Sequence, residues 1–289
     1  MRELSISTRQ GVRMKTFWTG NLILVVVGLV GCLNASAADK LEVKGDRWIE
    51  VRRTIGQVFY SRGQTSQPAH KGIQLQLVGD TITTKQGASA VLAIDIGTGL
   101  IKVSENTTLT VRKLLTGNGG ERITELQVKT GQVRLQLRPL TDANSRVEIH
   151  TPAGVAGVRG TDFGVSVQED GKMGTGTQKG SVATAAQGKT VLVKAGFQNL
   201  IVPGQPPSSA VPLREDTRLN ISQLVADGNE VRIIGNVDPV NLLVIAKERQ
   251  NIDSNGKFNI TVPLLPDRRV EAIVVTPLGK KQLYQLAVP

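Results

Sequence analysis

The chain has a single cysteine in 289 residues, Cys32, and so cannot form an internal disulfide. If it is exported, its stability has to come from packing alone. Histidine is almost as scarce: His70 and His150 stand alone, with no His-Glu-x-x-His spacing, which argues against a zinc site of the familiar kind. No Gly-x-Ser-x-Gly elbow offers a serine nucleophile, and no cofactor motif is present. Aromatics make up 3% of the chain, and Trp48 is the only tryptophan beyond residue 18. Platforms for stacking bases or sugars are therefore scarce, and nucleic acid is not expected as a partner. Long helical periodicity is missing too, and the longest apolar run falls short of the ~20 residues that a membrane span needs.

What the N-terminus does contain reads as a targeting segment. Arg9, Arg13 and Lys15 precede an apolar run from Asn21 to Gly31, and "ASA" at Ala35 to Ala37 supplies small residues for cleavage, giving a signal peptide over residues 1–37. Met14 would open a signal of more ordinary length. "LVGC" at Leu29 to Cys32 competes with that cleavage site, because it resembles a bacterial lipobox and would make Cys32 a lipid anchor to the membrane. Net charge is +11 for the whole chain, of which residues 1–37 carry +3 and the rest +8. A basic exported protein favours anionic envelope polymers or headgroups, although dispersed basic residues also fit an ordinary solvated surface.

The remainder reads as all-β. Val-, Ile- and Leu-rich runs are broken by Gly, Asn, Asp and Pro, and alternation in "LIKVSENTTLTV" and "ELQVKTGQVRLQL" buries one face of each run. Their spacing fits a β-sandwich or a β-solenoid-like stack over residues 45–202. "TIGQV", "KTGQV" and "QKGSV" echo one another, each placing a glycine two residues before a valine, where a positive φ would bend the chain between strands. "PGQPPSSAVP" opens a proline-rich linker over 203–227, in which "LREDTRLNISQLVAD" is read as holding a short helix. A second, smaller β domain follows over 228–289. In it "DSNG" reads as a hairpin turn rather than a calcium loop, since Lys257 follows where acidic ligands are required, and "TPLGK" reads as another hairpin corner.

The stretch "HTPAGVAGVRGTDFGVSV" (150–167) sets Arg159 and Asp162 among small residues. A phosphate cradle would have to open a helix, and β-runs follow instead; the same holds for "TGNGGE" and "GTGTQKG", which read as hairpin tips. A tight corner is the favoured reading. The small residues Ala153, Gly154, Ala156 and Gly157 let backbones approach, and Arg159 lies half-buried across a strand end, satisfying carbonyls or pairing with Asp162. Arg159, Thr161, Asp162 and Phe163 are thus candidate structural or contact residues, a ligand-binding role being the alternative. No catalytic, cofactor or metal residue is expected.

With its flanks "ELQVKTGQVRLQL" and "KGSVATA" and the earlier "GDTITTKQGASAVLAIDIGTGLIKVSENTTLTV", this stretch resembles the FecR domain. The likeness runs in outline from Trp48 to Val202, with Val158 to Phe163 its most specific part. It implies an all-β, non-enzymatic periplasmic module that makes protein contacts in signalling across the envelope. Sigma regulators of that family carry a cytoplasmic helical segment and a membrane span ahead of the domain; only a signal peptide is read here, so sigma-factor binding is not expected. Glu230 to Pro289 is similar to small bacterial Ig-like modules, through "GNVDP" and "DSNGKF". The expectation is an exported, non-catalytic envelope protein that senses or scaffolds by contact with an envelope protein or an anionic cell-wall polymer. A cell-wall or polysaccharide-binding adhesin is the alternative.

Overall fold

The structure, a computed structural model, describes residues 47–289. The stretch read as a signal peptide, 1–37, lies outside the described residues, and Cys32 with it. From Ile49 to Pro212 the chain weaves two nine-stranded sheets. It changes sheet after nearly every hairpin. Ser89–Ile94 and Gly99–Val103 lie in the first sheet, Thr108–Thr116 and Arg122–Val128 in the second, and Gly131–Leu137 in the first again. Arg146–His150 and Val155–Val158 then join the second sheet, Asp162–Val167 and Met173–Lys179 the first, Ser181–Ala186 and Lys189–Lys194 the second, and Phe197–Ile201 the first. Thr65–Pro68 and Gln74–Leu75 close one edge of each sheet, and from Thr81 onward each new strand is laid on the other edge, so the ladder grows in one direction. Pairing among the described residues is antiparallel, except that Arg146–His150 runs parallel to Arg122–Val128.

Period-two alternation explains the layers. Val133, Leu135, Phe163, Val165 and Val167 of the first sheet face Leu126, Val128, Val147 and Ile149 of the second, in one continuous apolar core. The echoed glycines mark sheet changes. Gly56, Gly131 and Gly180 have φ of 68°, 115° and 79°, and each stands where the chain leaves one sheet for the other. "TIGQVFY" and "ELQVKTGQVRLQL", continuous in sequence, are therefore each two strands in different layers.

Residues 203–227 hold the short strand Val211–Pro212 and the strand Asn220–Asp227. The short helix read in "LREDTRLNISQLVAD" is a strand instead: Asn220–Asp227 pairs along its length with Glu230–Asn236, and this ladder outweighs weak helical propensity. Two further sheets, of three and four strands, enclose a separate core that includes Ile233, Leu243, Ile245, Phe258, Ala272 and Val274. "DSNG" is a turn, with the Asp253 carboxylate accepting from the amides of Asn255 and Lys257, both at 2.8 Å. It is not a hairpin, because the strands it joins, Glu248–Gln250 and Lys257–Pro263, belong to different sheets. "TPLGK" does close a hairpin, between Arg269–Val275 and Lys281–Ala287. "GTGTQKG" is no hairpin tip, since most of it lies in the strand Met173–Lys179.

Candidate functional site: a seam built on a glycine platform

The stretch 150–167 does two structural jobs. Between Val155–Val158 in one sheet and Asp162–Val167 in the other, the chain turns at Gly160, whose φ is 123°. A Cβ there would fall 2.4 Å from Pro139 Cα, so only glycine fits. Thr161 is buried and donates from its hydroxyl to the Ser181 carbonyl at 3.1 Å, while Phe163 is fully buried in the core. Gly154 lets the Ala185 carbonyl approach to 2.5 Å of where a Cβ would stand.

Arg159 differs from its expected place. It is exposed rather than half-buried, and it donates to the backbone carbonyl of Asp142 at 3.0 Å. Asp162 pairs instead with Arg134, through Nε and Nη2 at 2.9 and 3.0 Å, and accepts from Gln136 at 3.2 Å. The reason is strand geometry. Asp162 opens a strand directly opposite Gln136, which puts it on the same outward face as Arg134, whereas Arg159 lies outside the ladder. The arginine that braces the two sheets is Arg47. Buried, it grips Asp95 at 2.7 Å and Thr124 Oγ1 at 2.8 Å, and donates to the carbonyls of Leu115 and Ile123 at 3.0 and 2.8 Å.

The second job lies beyond the corner, on the outer face of the first sheet. Gly164 sits opposite Gly176 and Ser166 opposite Gly174, so two neighbouring strands present almost no side chains there. The smaller β module stands on this platform. A Cβ at Gly164 would lie 1.8 Å from the Pro277 carbonyl oxygen, and one at Gly174 would lie 2.4 Å from that of Val240. Polar side chains around the platform bond the docked loops. Gln132 donates to the Pro277 carbonyl at 2.8 Å, Arg134 to Leu278 at 3.3 Å, and Gln168 to Pro239 and Asn241 at 2.9 and 3.2 Å. Ser166 donates to the Val240 carbonyl, and Gln198 to the Asp238 carboxylate at 3.0 Å. The feet of the smaller module are the "TPLGK" hairpin and the segment continuing from "GNVDP".

Electrostatics reinforce the seam. Burial alone would raise the Asp162 pKa, but the hydrogen bonds from Arg134 and Gln136 outweigh it and hold the carboxyl below its usual range. Asp162 thereby fixes the guanidinium that reaches Leu278. At the rim, Lys281 pairs with Glu105 at 2.8 Å, and Arg249 reaches the Glu105 carbonyl at 3.0 Å and Glu169 at 3.3 Å. Burial pushes Glu105 up, while Lys281, the Gly87 amide and Arg249 bring it below its ordinary value. The linker is tied in as well: Asn241 donates to the Asp216 carbonyl at 2.7 Å, and Tyr284 to that of Thr217 at 2.8 Å.

Sequence reasoning missed Gln132, Arg134, Ser166 and Gln168. A signal was present in "FGVSV" and "MGTGT", where small residues recur at every second position while the intervening ones are buried in the core. That spacing marks one bare face of a strand, and a bare face is what close backbone approach requires. His70 lies exposed in a loop, and His150 lies on the outer face of the second sheet beside Glu125 and Glu148.

The described chain is thus an all-β protein in which a long two-sheet ladder carries a smaller two-sheet module on its outer face. Residues 80–183, which include the corner and most of the platform, match the family described as FecR protein. No curated protein matches the chain. Among solved structures, it is similar to a candidate anti-sigma factor from Parabacteroides distasonis ATCC 8503, with 14% identity and a TM-score of 0.37. That match covers 47% of this chain and 60% of the other. A polysaccharide lyase is similar at 12% identity and a TM-score of 0.20, over 84% of this chain and 40% of the lyase. Neither likeness is close enough to carry over a fold or a function.

Proposed function

We propose that the protein is an exported, non-catalytic component of the cell envelope, in which the FecR domain (residues 45–202) and an Ig-like module (228–289) form one rigid contact surface for an envelope protein. The observation that carries this reading is the seam. The most family-specific stretch spends Thr161, Asp162 and Phe163 on holding sheets and modules together, which leaves Arg159 as its exposed charged side chain. A catalytic loop would instead aim such groups at a cavity. The strand order of the smaller module supports the Ig-like reading: its first, second and fifth strands form one sheet, and the fourth, third, sixth and seventh form the other. The targeting segment over residues 1–37 supports export, and Cys32 offers a lipid anchor if the lipobox is used.

Photocrosslinking in intact cells from a probe placed at position 159 tests the proposal. A discrete adduct with one envelope protein supports it. Adducts only with cell-wall polymer, abolished by high salt, would favour the adhesin reading. Turnover of a substrate that disappears on changing His150 or Asp162 would refute a contact role.

A further inference from the structure

We propose that Glu125, Glu148 and His150 form a binding site for a divalent transition-metal ion, zinc above all. The parallel pairing of Arg122–Val128 with Arg146–His150 sets Glu125 directly beside Glu148, with His150 one outward position further along. Two carboxylates side by side repel each other, and on this face Arg146 and Lys113 offset that repulsion. Here the two oxygens of each carboxylate have separate surroundings. Oε1 of Glu148 takes Arg146 at 2.7 Å, and Oε1 of Glu125 has Lys113 at 3.6 Å and Arg146 at 3.8 Å. Oε2 of each carboxylate turns inward to the His150 ring nitrogen Nε2, at 3.1 Å from Glu148 and 3.7 Å from Glu125.

Three donor atoms therefore converge within 4.8 Å of one another, on side chains that are half-buried and already oriented. Zinc bonds of ~2.0–2.2 Å in a tetrahedron place ligand atoms ~3.3–3.5 Å apart, a range bracketed by the 3.1 and 3.7 Å found around Nε2. Arg146 and Lys113 act as outer-shell partners that aim the carboxylates. The imidazole nitrogen selects zinc and its neighbours over calcium or magnesium, which prefer all-oxygen sites. Three protein ligands leave a fourth position for water. The ligands come from two strands distant in sequence, so no local spacing announces them.

Isothermal titration of the purified full-length protein with zinc, together with visible absorption on adding cobalt(II), tests the site. One equivalent should bind, with cobalt bands of a four- or five-coordinate ion. His150→Ala and Glu148→Gln should each weaken binding by about 10-fold or more. A His70→Ala, Cys32→Ser variant, lacking the other histidine and the cysteine, should bind as the parent does. Thermal melts identify variants that stay folded, and Glu125→Gln provides a further ligand change if His150→Ala does not. Absence of zinc binding by the parent overturns the proposal, as does unchanged binding in the folded ligand variants or loss of binding in the His70→Ala, Cys32→Ser variant.

Discussion

Gly164→Ala isolates the seam with a single methyl group. Gly164 does not have a positive φ, so alanine is acceptable to its backbone, and the obstacle is the docked hairpin, chiefly the Pro277 carbonyl oxygen at 1.8 Å from the new Cβ and its carbon at 2.5 Å. Both are backbone atoms of the docked hairpin and cannot step aside as a flexible side chain would. Either the strand bends, at an overpacking cost of ~1–3 kcal/mol, or the hairpin lifts. Lifting it gives up the bonds from Gln132 and Arg134 to Pro277 and Leu278, each worth ~0.5–1.5 kcal/mol. Loss of those from Ser166 and Gln168 follows if the whole module rocks. We expect a loss of about 3 kcal/mol, which for a body of this size lowers Tm by roughly 6–12 °C. Differential scanning calorimetry should show the single parental transition broaden or split, and proteolysis in the exposed stretch Pro203–Gln205 should accelerate. A Gly164→Ala protein that melts as one unit at the parental temperature, with unchanged proteolysis, would refute close docking.

Other substitutions separate bracing groups from contact groups. Arg47→Ala leaves buried Asp95 with only the distant Arg122 at 3.9 Å as a cationic partner and frees two carbonyls, so it should cost about 3 kcal/mol in chemical denaturation. Arg159→Ala removes an exposed side chain with one backbone bond and should shift stability by no more than ~0.5 kcal/mol, while weakening capture of the crosslinked partner. Asp80 is buried, accepts from Arg62 at 2.7 and 2.8 Å and from the amides of Gln76 and Leu77 at 2.8 and 3.0 Å; burial pushes its pKa up, but these bonds bring it below the ordinary carboxylate value. Asp80 and Asp162, both depressed in the fold, contribute stability that is complete above the unfolded value of ~4 and is lost as pH falls through their folded values. Melts followed downward from about pH 5 should therefore fall in Tm, and less steeply in an Asp80→Asn, Asp162→Asn variant that starts from a lower Tm at neutral pH.

Much of the β architecture is legible in the sequence because alternation and glycine report local backbone geometry. The bends at Gly56, Gly131 and Gly180 could be foreseen, since a positive φ is a property of one residue. Which sheet each strand enters could not, because a run such as "TIGQVFY" keeps its apolar character through the bend. The strand Asn220–Asp227 was hidden for a similar reason: its pairing with Glu230–Asn236 is decided by the partner and not by its own propensity. At the candidate site, the closeness of backbones at Gly154 followed from residue size, while the approach of Pro139 to Gly160 did not. The Arg134–Asp162 pair did not, because it depends on the register between strands far apart in sequence. The bare face of Gly164, Gly174 and Gly176 was masked by the reading of "GTGTQKG" as a hairpin tip, and only the folded chain shows that "TPLGK" packs against it.

The claim on which the rest depends is that ladder and smaller module move as one body. Spin labels placed at the exposed positions Lys129 and Ser254, in a chain with Cys32 replaced by serine, report it through pulsed electron-spin distance measurements. The seam predicts one narrow distance distribution that broadens in Gly164→Ala. A broad distribution in the parent protein would show two independently moving modules and contradict the account.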